Sequence, residues 1–84
     1  MALISGKVVD REGKPVTGAR VMFTRSPVPL PDTALLTGDD GTFTLSVPAN
    51  GSYEILTIAD EQGERRTAVE VSGDGQEIEV RLGK

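Results

Sequence analysis

The sequence predicts an all-β chain, a seven-stranded antiparallel Greek-key β-sandwich, with residues 1–84 as a single domain. Three observations carry this. Eighty-four residues leave room for one hydrophobic core and no second. Ten Gly and five Pro cut the chain so often that 52–62 is the longest segment free of both; in a helix interior they would cost about 1 and 3 kcal/mol each relative to Ala. Between these breaks, apolar and polar residues alternate with the period of a half-buried strand.

The first strand covers 4–9, with Ile4 and Val8 on the inner side and Ser5 and Lys7 opposite. Gly6 falls between the two inner positions, where a bulge or a close neighbour is expected. Asp10-Arg11-Glu12-Gly13-Lys14-Pro15 is a turn, since Asp bonds its own backbone and Gly reaches positive φ. The second strand, 19–25, turns Ala19, Val21 and Phe23 inward. The proline segment 26–32 lacks the amide donors of a central strand and reads as a stiff connector between sheets. A short strand at 34–37 precedes the tight turn Asp39-Asp40-Gly41, and the fourth strand, 42–47, alternates Phe43, Leu45 and Val47 inward with Thr42, Thr44 and Ser46 outward. After Pro48-Ala49-Asn50-Gly51, the fifth strand, 53–59, is apolar on both faces, as suits a central position. Asp60-Glu61-Gln62-Gly63 leads to the sixth strand, 65–72, with Thr67, Val69 and Val71 inward. Gly73-Asp74-Gly75 closes a last hairpin onto the seventh, 76–82, with Ile78, Val80 and Leu82 inward.

Composition excludes much chemistry. The chain has no His, Cys or Trp. Without His or Cys there is no imidazole base, no Ser-His or Cys-His pair, no disulfide, and none of the usual ligands of zinc, haem or iron–sulfur clusters. Nine Lys and Arg against thirteen Asp and Glu give a net charge of −4, which argues against a nucleic-acid or anionic-membrane surface. No apolar run is long enough to span a bilayer. The opening Met1-Ala2-Leu3-Ile4 shows no basic leader or signal region, so the expectation is a leaderless protein or a module of a longer one. Its three aromatic residues, Phe23, Phe43 and Tyr53, all fall on inner positions, leaving no stacking platform for sugars or single strands.

If successive strands run up and down, the turns 10–15, 39–41 and 60–64 share one end of the sandwich and gather more than half of the acidic residues. Oxygen-rich loops of this kind are what Ca²⁺ uses, and the candidate ligands are Asp10, Glu12, Asp39, Asp40, Asp60 and Glu61. Ordinary turn chemistry accounts for the same residues, and Asp10-Arg11-Glu12-Gly13 breaks the twelve-residue calcium-loop pattern early. No catalytic residue, cofactor or metal is therefore expected. A glycosidase pair would need a cleft that a sandwich of this size hardly provides.

With the strand order in place, Ile4-Ser5-Gly6-Lys7-Val8-Val9-Asp10, Gly13-Lys14-Pro15-Val16 and Gly18-Ala19-Arg20-Val21 resemble the opening of the carboxypeptidase regulatory-like domain. Thr37, Asp39-Asp40-Gly41-Thr42-Phe43-Thr44-Leu45, Pro48 and Gly51-Ser52-Tyr53-Glu54-Ile55 resemble its middle. The resemblance implies a transthyretin-like (prealbumin-like) seven-stranded sandwich and a non-catalytic accessory module of a larger surface, exported or secretion-associated protein. The partners it implies are proteins or covalently linked parent domains. A carbohydrate- or calcium-binding accessory module is the alternative. The related collagen-adhesin B-type repeats crosslink a Lys to an Asn or Asp. Here Lys7 faces outward and the last strand has neither acceptor, so no such bond is expected. The hydroxyisourate hydrolases of this architecture rely on His, which is absent. The polar outward residues Thr42, Thr44, Ser46, Glu54, Glu70, Glu77 and Glu79 predict a monomer.

Overall fold

Alternation fixes which face of a strand is dry, and the chain stacks those dry faces into two sheets. A computed structural model describes residues 2–30 and 34–83. Its strands are β1 (Ala2–Val9), β2 (Arg20–Arg25), β3 (Leu35–Leu36), β4 (Thr42–Val47), β5 (Gly51–Ala59), β6 (Gly63–Val71) and β7 (Gly75–Arg81). One sheet has the order β4-β1-β7 and the other β3-β2-β5-β6. The seven expected strands are present. β1, β5, β6 and β7 start earlier than expected, and β3 is reduced to two residues. As its two apolar faces predicted, β5 lies inside its sheet, between β2 and β6.

The inner faces interdigitate as expected. Ile4, Val8, Phe43, Val47 and Val80 from the smaller sheet meet Val21, Tyr53, Ile55, Val69 and Val71 from the larger, and Leu82 closes the end beyond β7. Phe23, Leu45 and Ile78 pack against this core while remaining partly exposed. Gly6 lies directly opposite Phe43 in the β1–β4 register, and the ring covers it so closely that a Cβ there would overlap the ring carbons. Gly6 therefore marks a close neighbour and no bulge. Tyr53 stacks against Phe23 with centroids 5.4 Å apart and donates its hydroxyl to Ala49 C=O at 2.6 Å. That bond ties down the corner where the chain leaves β4 for the opposite sheet. Thr57, also buried, leaves its hydroxyl without a partner among the described residues, as does Thr67.

Two connections differ from the sequence reading. Gly73-Asp74-Gly75 does not close a hairpin, because β6 belongs to the larger sheet and β7 to the smaller. The turn carries the chain across the sandwich, and β7 arrives beside β1 running in the same direction, giving the parallel pair Leu3↔Gly75 to Val9↔Arg81. The other pairings, β1–β4, β2–β3, β2–β5 and β5–β6, are antiparallel. The proline segment links β2 to β3, which are neighbours in one sheet, and is not a connector between sheets. Pro31 and Asp32 of that segment lie outside the described residues.

Truncating Phe43 removes a ring that is 4 % exposed and covers Gly6. Phe43→Ala is expected to destabilise the fold by about 3–5 kcal/mol in urea unfolding. A negligible shift of the midpoint would contradict the core assignment. Tyr53→Phe keeps the ring and orphans Ala49 C=O, so it should cost about 1 kcal/mol at unchanged m-value.

Candidate functional site

The acidic turns do share one end of the molecule. The register pairs Lys7 with Thr42 in one sheet and Arg20 with Ile58 in the other, so the turns at 10–15, 39–41 and 60–62 open on the same side. Glu64 instead belongs to β6. Thr37 clamps this end together. Its buried hydroxyl donates to Val16 C=O at 2.6 Å and accepts from Ala19 N–H at 2.9 Å, while its backbone N–H donates to Ala19 C=O and its C=O accepts from Gly18 N–H. Thr17 adds a bond from its hydroxyl to Asp39 C=O at 3.2 Å.

Of the candidate carboxylates, Asp10 and Asp40 are committed to these turns. Asp10 Oδ1 accepts the Glu12 and Lys14 amides, each at 2.9 Å. The Lys14 amide is the chief reason that the Asp10 carboxyl sits below its ordinary pKa, with the Glu12 amide and the Lys14 charge helping. Asp40 Oδ1 accepts the Thr42 hydroxyl at 2.6 Å and the Thr42 amide at 3.1 Å, and these bonds lower its pKa in turn. Gly41 completes that turn at φ +76°, where a Cβ would come within 2.6 Å of Val8 C=O. Glu12 faces Lys14 at 3.9 Å, and Asp60 faces Arg20 at 3.4 Å. Asp39 and Glu61 are exposed beside them. Among the described residues, no three acidic side chains gather closely enough to hold a metal ion. The third lowered carboxyl, Glu54, stands on the outer face of β5, where the Thr24 hydroxyl at 2.8 Å and then Arg66 favour its charged form.

Hollows mark the surface formed by the described residues, and three of them bear on function. One of about 440 Å³ opens between Thr17, Arg20, Leu36, Ile58 and Gln62, with the Arg20–Asp60 pair at its rim. A second, of about 470 Å³, lies on the other side of the β5–β6 turn near Gly83. The third, of about 270 Å³, is an apolar groove beside β4, lined by Phe23, Leu30, Ala34, Leu35 and Leu45. None contains a buried carboxylate or an imidazole, and the surroundings of Asp10, Asp40 and Glu54 all favour the ionised form, the opposite of a general acid. The sequence reading placed the acidic turns correctly but missed the Thr37 clamp and the Tyr53 hydroxyl bond. A Thr two residues before Asp39 gives no pattern from which its buried partners can be read.

The carboxypeptidase regulatory-like domain family model matches residues 3–83. No curated protein sequence matches the chain. Among solved structures, the major pilin subunit of Bacillus cereus is similar over 100 % of this chain and 30 % of its own, at 12 % identity and a TM-score of 0.74. A chain of the type II cohesin–X–dockerin complex of Acetivibrio cellulolyticus is similar over 98 % of this chain and 57 % of its own, at 16 % identity and TM-score 0.73. A DUF3823 family protein of Parabacteroides merdae follows at 16 % identity and TM-score 0.61, covering 98 % of this chain and 44 % of that one. The chain thus spans less than two thirds of each of these proteins, and at such identities the likeness establishes the fold.

The lowered carboxyls set an acid limit. A carboxyl whose folded pKa is depressed adds stability that is complete above the unfolded value, near pH 4, and lost as pH falls through the lower folded value. The melting temperature should therefore hold from neutral pH to about pH 4 and drop below it. Asp40→Asn should reduce that drop; a variant with the full wild-type acid profile would contradict the assignment.

Proposed function

The chain belongs to the carboxypeptidase regulatory-like domain family, and we propose that it acts as a non-catalytic structural and protein-interaction module, an accessory domain of a larger surface, exported or secretion-associated protein. The observation that carries this reading is the separation of charge from interior. Among the described residues the core is apolar apart from Thr37 and Thr57, and the carboxylates of Asp10, Asp40 and Glu54 are fixed in turns or on a sheet face as anions. Such a molecule presents shape, strand edges and charge to a partner, and offers no enclosed reactive group to a substrate. The named assemblies of two structural neighbours, a pilin and a cohesin–X–dockerin complex, support a role among protein chains. In this reading the domain is a monomer that binds neither nucleic acid nor membrane, since its net charge of −4 repels both.

The test combines turnover and ligand screens on the purified chain. Chromogenic peptides, esters and glycosides should show no turnover above buffer, and a glycan array should stay silent with and without Ca²⁺. Millimolar Ca²⁺ should leave the melting temperature unchanged. Saturable turnover that survives repurification would sink the non-catalytic reading, and a calcium-dependent glycan signal would replace it with the carbohydrate alternative.

A further inference from the structure

Each sheet ends in two edges, and an open edge is a row of unpaired N–H and C=O groups unless charge, proline or shortness blunts it. β3 has two residues. β6 carries Glu64, Arg65, Arg66 and Glu70, and β7 carries Glu77, Glu79 and Arg81. β4 differs from all of these. Thr42-Phe43-Thr44-Leu45-Ser46-Val47 is six residues long, pairs only with β1, and contains no charge, proline or bulge.

Which groups face that edge follows from the ladder. In an antiparallel pair, alternate residues turn both backbone groups toward the partner and those between turn them away. Val8 N–H donates to Gly41 C=O at 2.8 Å, so Phe43, Leu45 and Val47 bond β1, while Thr42, Thr44 and Ser46 face outward. Thr42 is already satisfied, because its N–H donates to Asp40 Oδ1 and its C=O accepts from Gly38 N–H. Among the described residues Thr44 and Ser46 remain unpaired on this side, with two donors and two acceptors at the spacing one further strand would match. Beside them, on the inner side, the groove of about 270 Å³ lies against Leu45, Phe23, Leu30 and Leu35, and Leu35 is itself 38 % exposed.

We propose that β4 and this groove form a strand-addition site for an extended, uncharged segment of another protein, which pairs with Thr44 and Ser46 and sets one apolar side chain into the groove. The proposal rests on the interaction-module reading and names its surface and partner. Backbone pairing supplies affinity in this mode, and the pocket for an alternate side chain supplies selectivity. A second copy of the chain fits less well. Six residues at about 3.3 Å each give an edge of ~20 Å, which covers roughly 200–300 Å² per copy. A stable dimer needs about 800 Å² per partner. Two copies would also each bring a charge of −4.

The probe is a blocked peptide of alternating threonine and valine with a central leucine, flanked by lysines for solubility. Titrated into the isotopically labelled chain, it should shift the amides of Thr44 and Ser46 together with those of Phe23, Leu30 and Leu35. Thr44→Pro removes an outward N–H and no bond to β1, so it should keep the melting temperature and weaken binding at least tenfold. Should that variant unfold, Thr44→Lys places a charge on the same edge with the same expected loss. Shifts confined to β6, β7 or the acidic turns would overturn the site. So would unchanged affinity in a folded variant, or no response at millimolar peptide. Concentration-dependent dimerisation abolished by Thr44→Pro would overturn the choice of partner. These results leave the non-catalytic reading standing, since that reading fails on turnover.

Discussion

The contact on which the sandwich depends is the Phe43 ring laid across Gly6. The two residues are opposite one another in the β1–β4 register, one pair from the end where β4 begins. Ile4 and Val8 flank the glycine on the inner face of β1, and both are fully buried. Three large side chains in a row there would hold the ring out of the core. Glycine gives up its own packing so that one aromatic side chain can fill the space, a close approach that no residue with a Cβ allows. Position 6 must therefore be small for position 43 to be large. With the ring seated, β4 keeps its register on β1, and Gly41 can pass its C=O to Val8 before the chain turns back.

That arrangement pushes function to the outside. Among the described residues the core holds no carboxylate or amine, and the turns bind Asp10 and Asp40 to their own amides and hydroxyls. The acidic end thus reads better as a set of self-bonded turns than as an ion site: Asp10 and Asp40 are anions because their loops need acceptors, and Thr37 holds the loops together with backbone bonds that involve no carboxylate. Outward, the chain presents the backbone of its sheet edges, and β4 is an edge without charge or proline.

Much of this was legible in the residues. Period-two alternation identified the inner faces, since burial follows side-chain direction, and it placed Phe43, Val47, Tyr53, Val69 and Val80 in the core. The up-and-down passage of the chain placed the acidic turns at one end. Pairing was less visible. Alternation says which face of β7 is dry but not which strand lies beside it. A short glycine turn serves a hairpin and a sheet crossing equally well, so the parallel β1–β7 pair escaped the reading. Polar atoms with buried partners escaped too. Tyr53 was read as an apolar inner residue, but its hydroxyl reaches Ala49 four positions upstream. Thr37 depends on Val16 and Ala19, contacts made only after the loops have folded back.

The most direct test of the account is a double-mutant cycle on Gly6 and Phe43, read by urea unfolding. In the wild-type background Gly6→Ala should destabilise the chain by about 1–3 kcal/mol, because the ring must yield. In a Phe43→Leu background, where the ring is gone, the same alanine should cost at least about 1 kcal/mol less. Strictly additive effects would show that the ring does not rest on the glycine and would contradict the packing from which the rest of the structure has been derived.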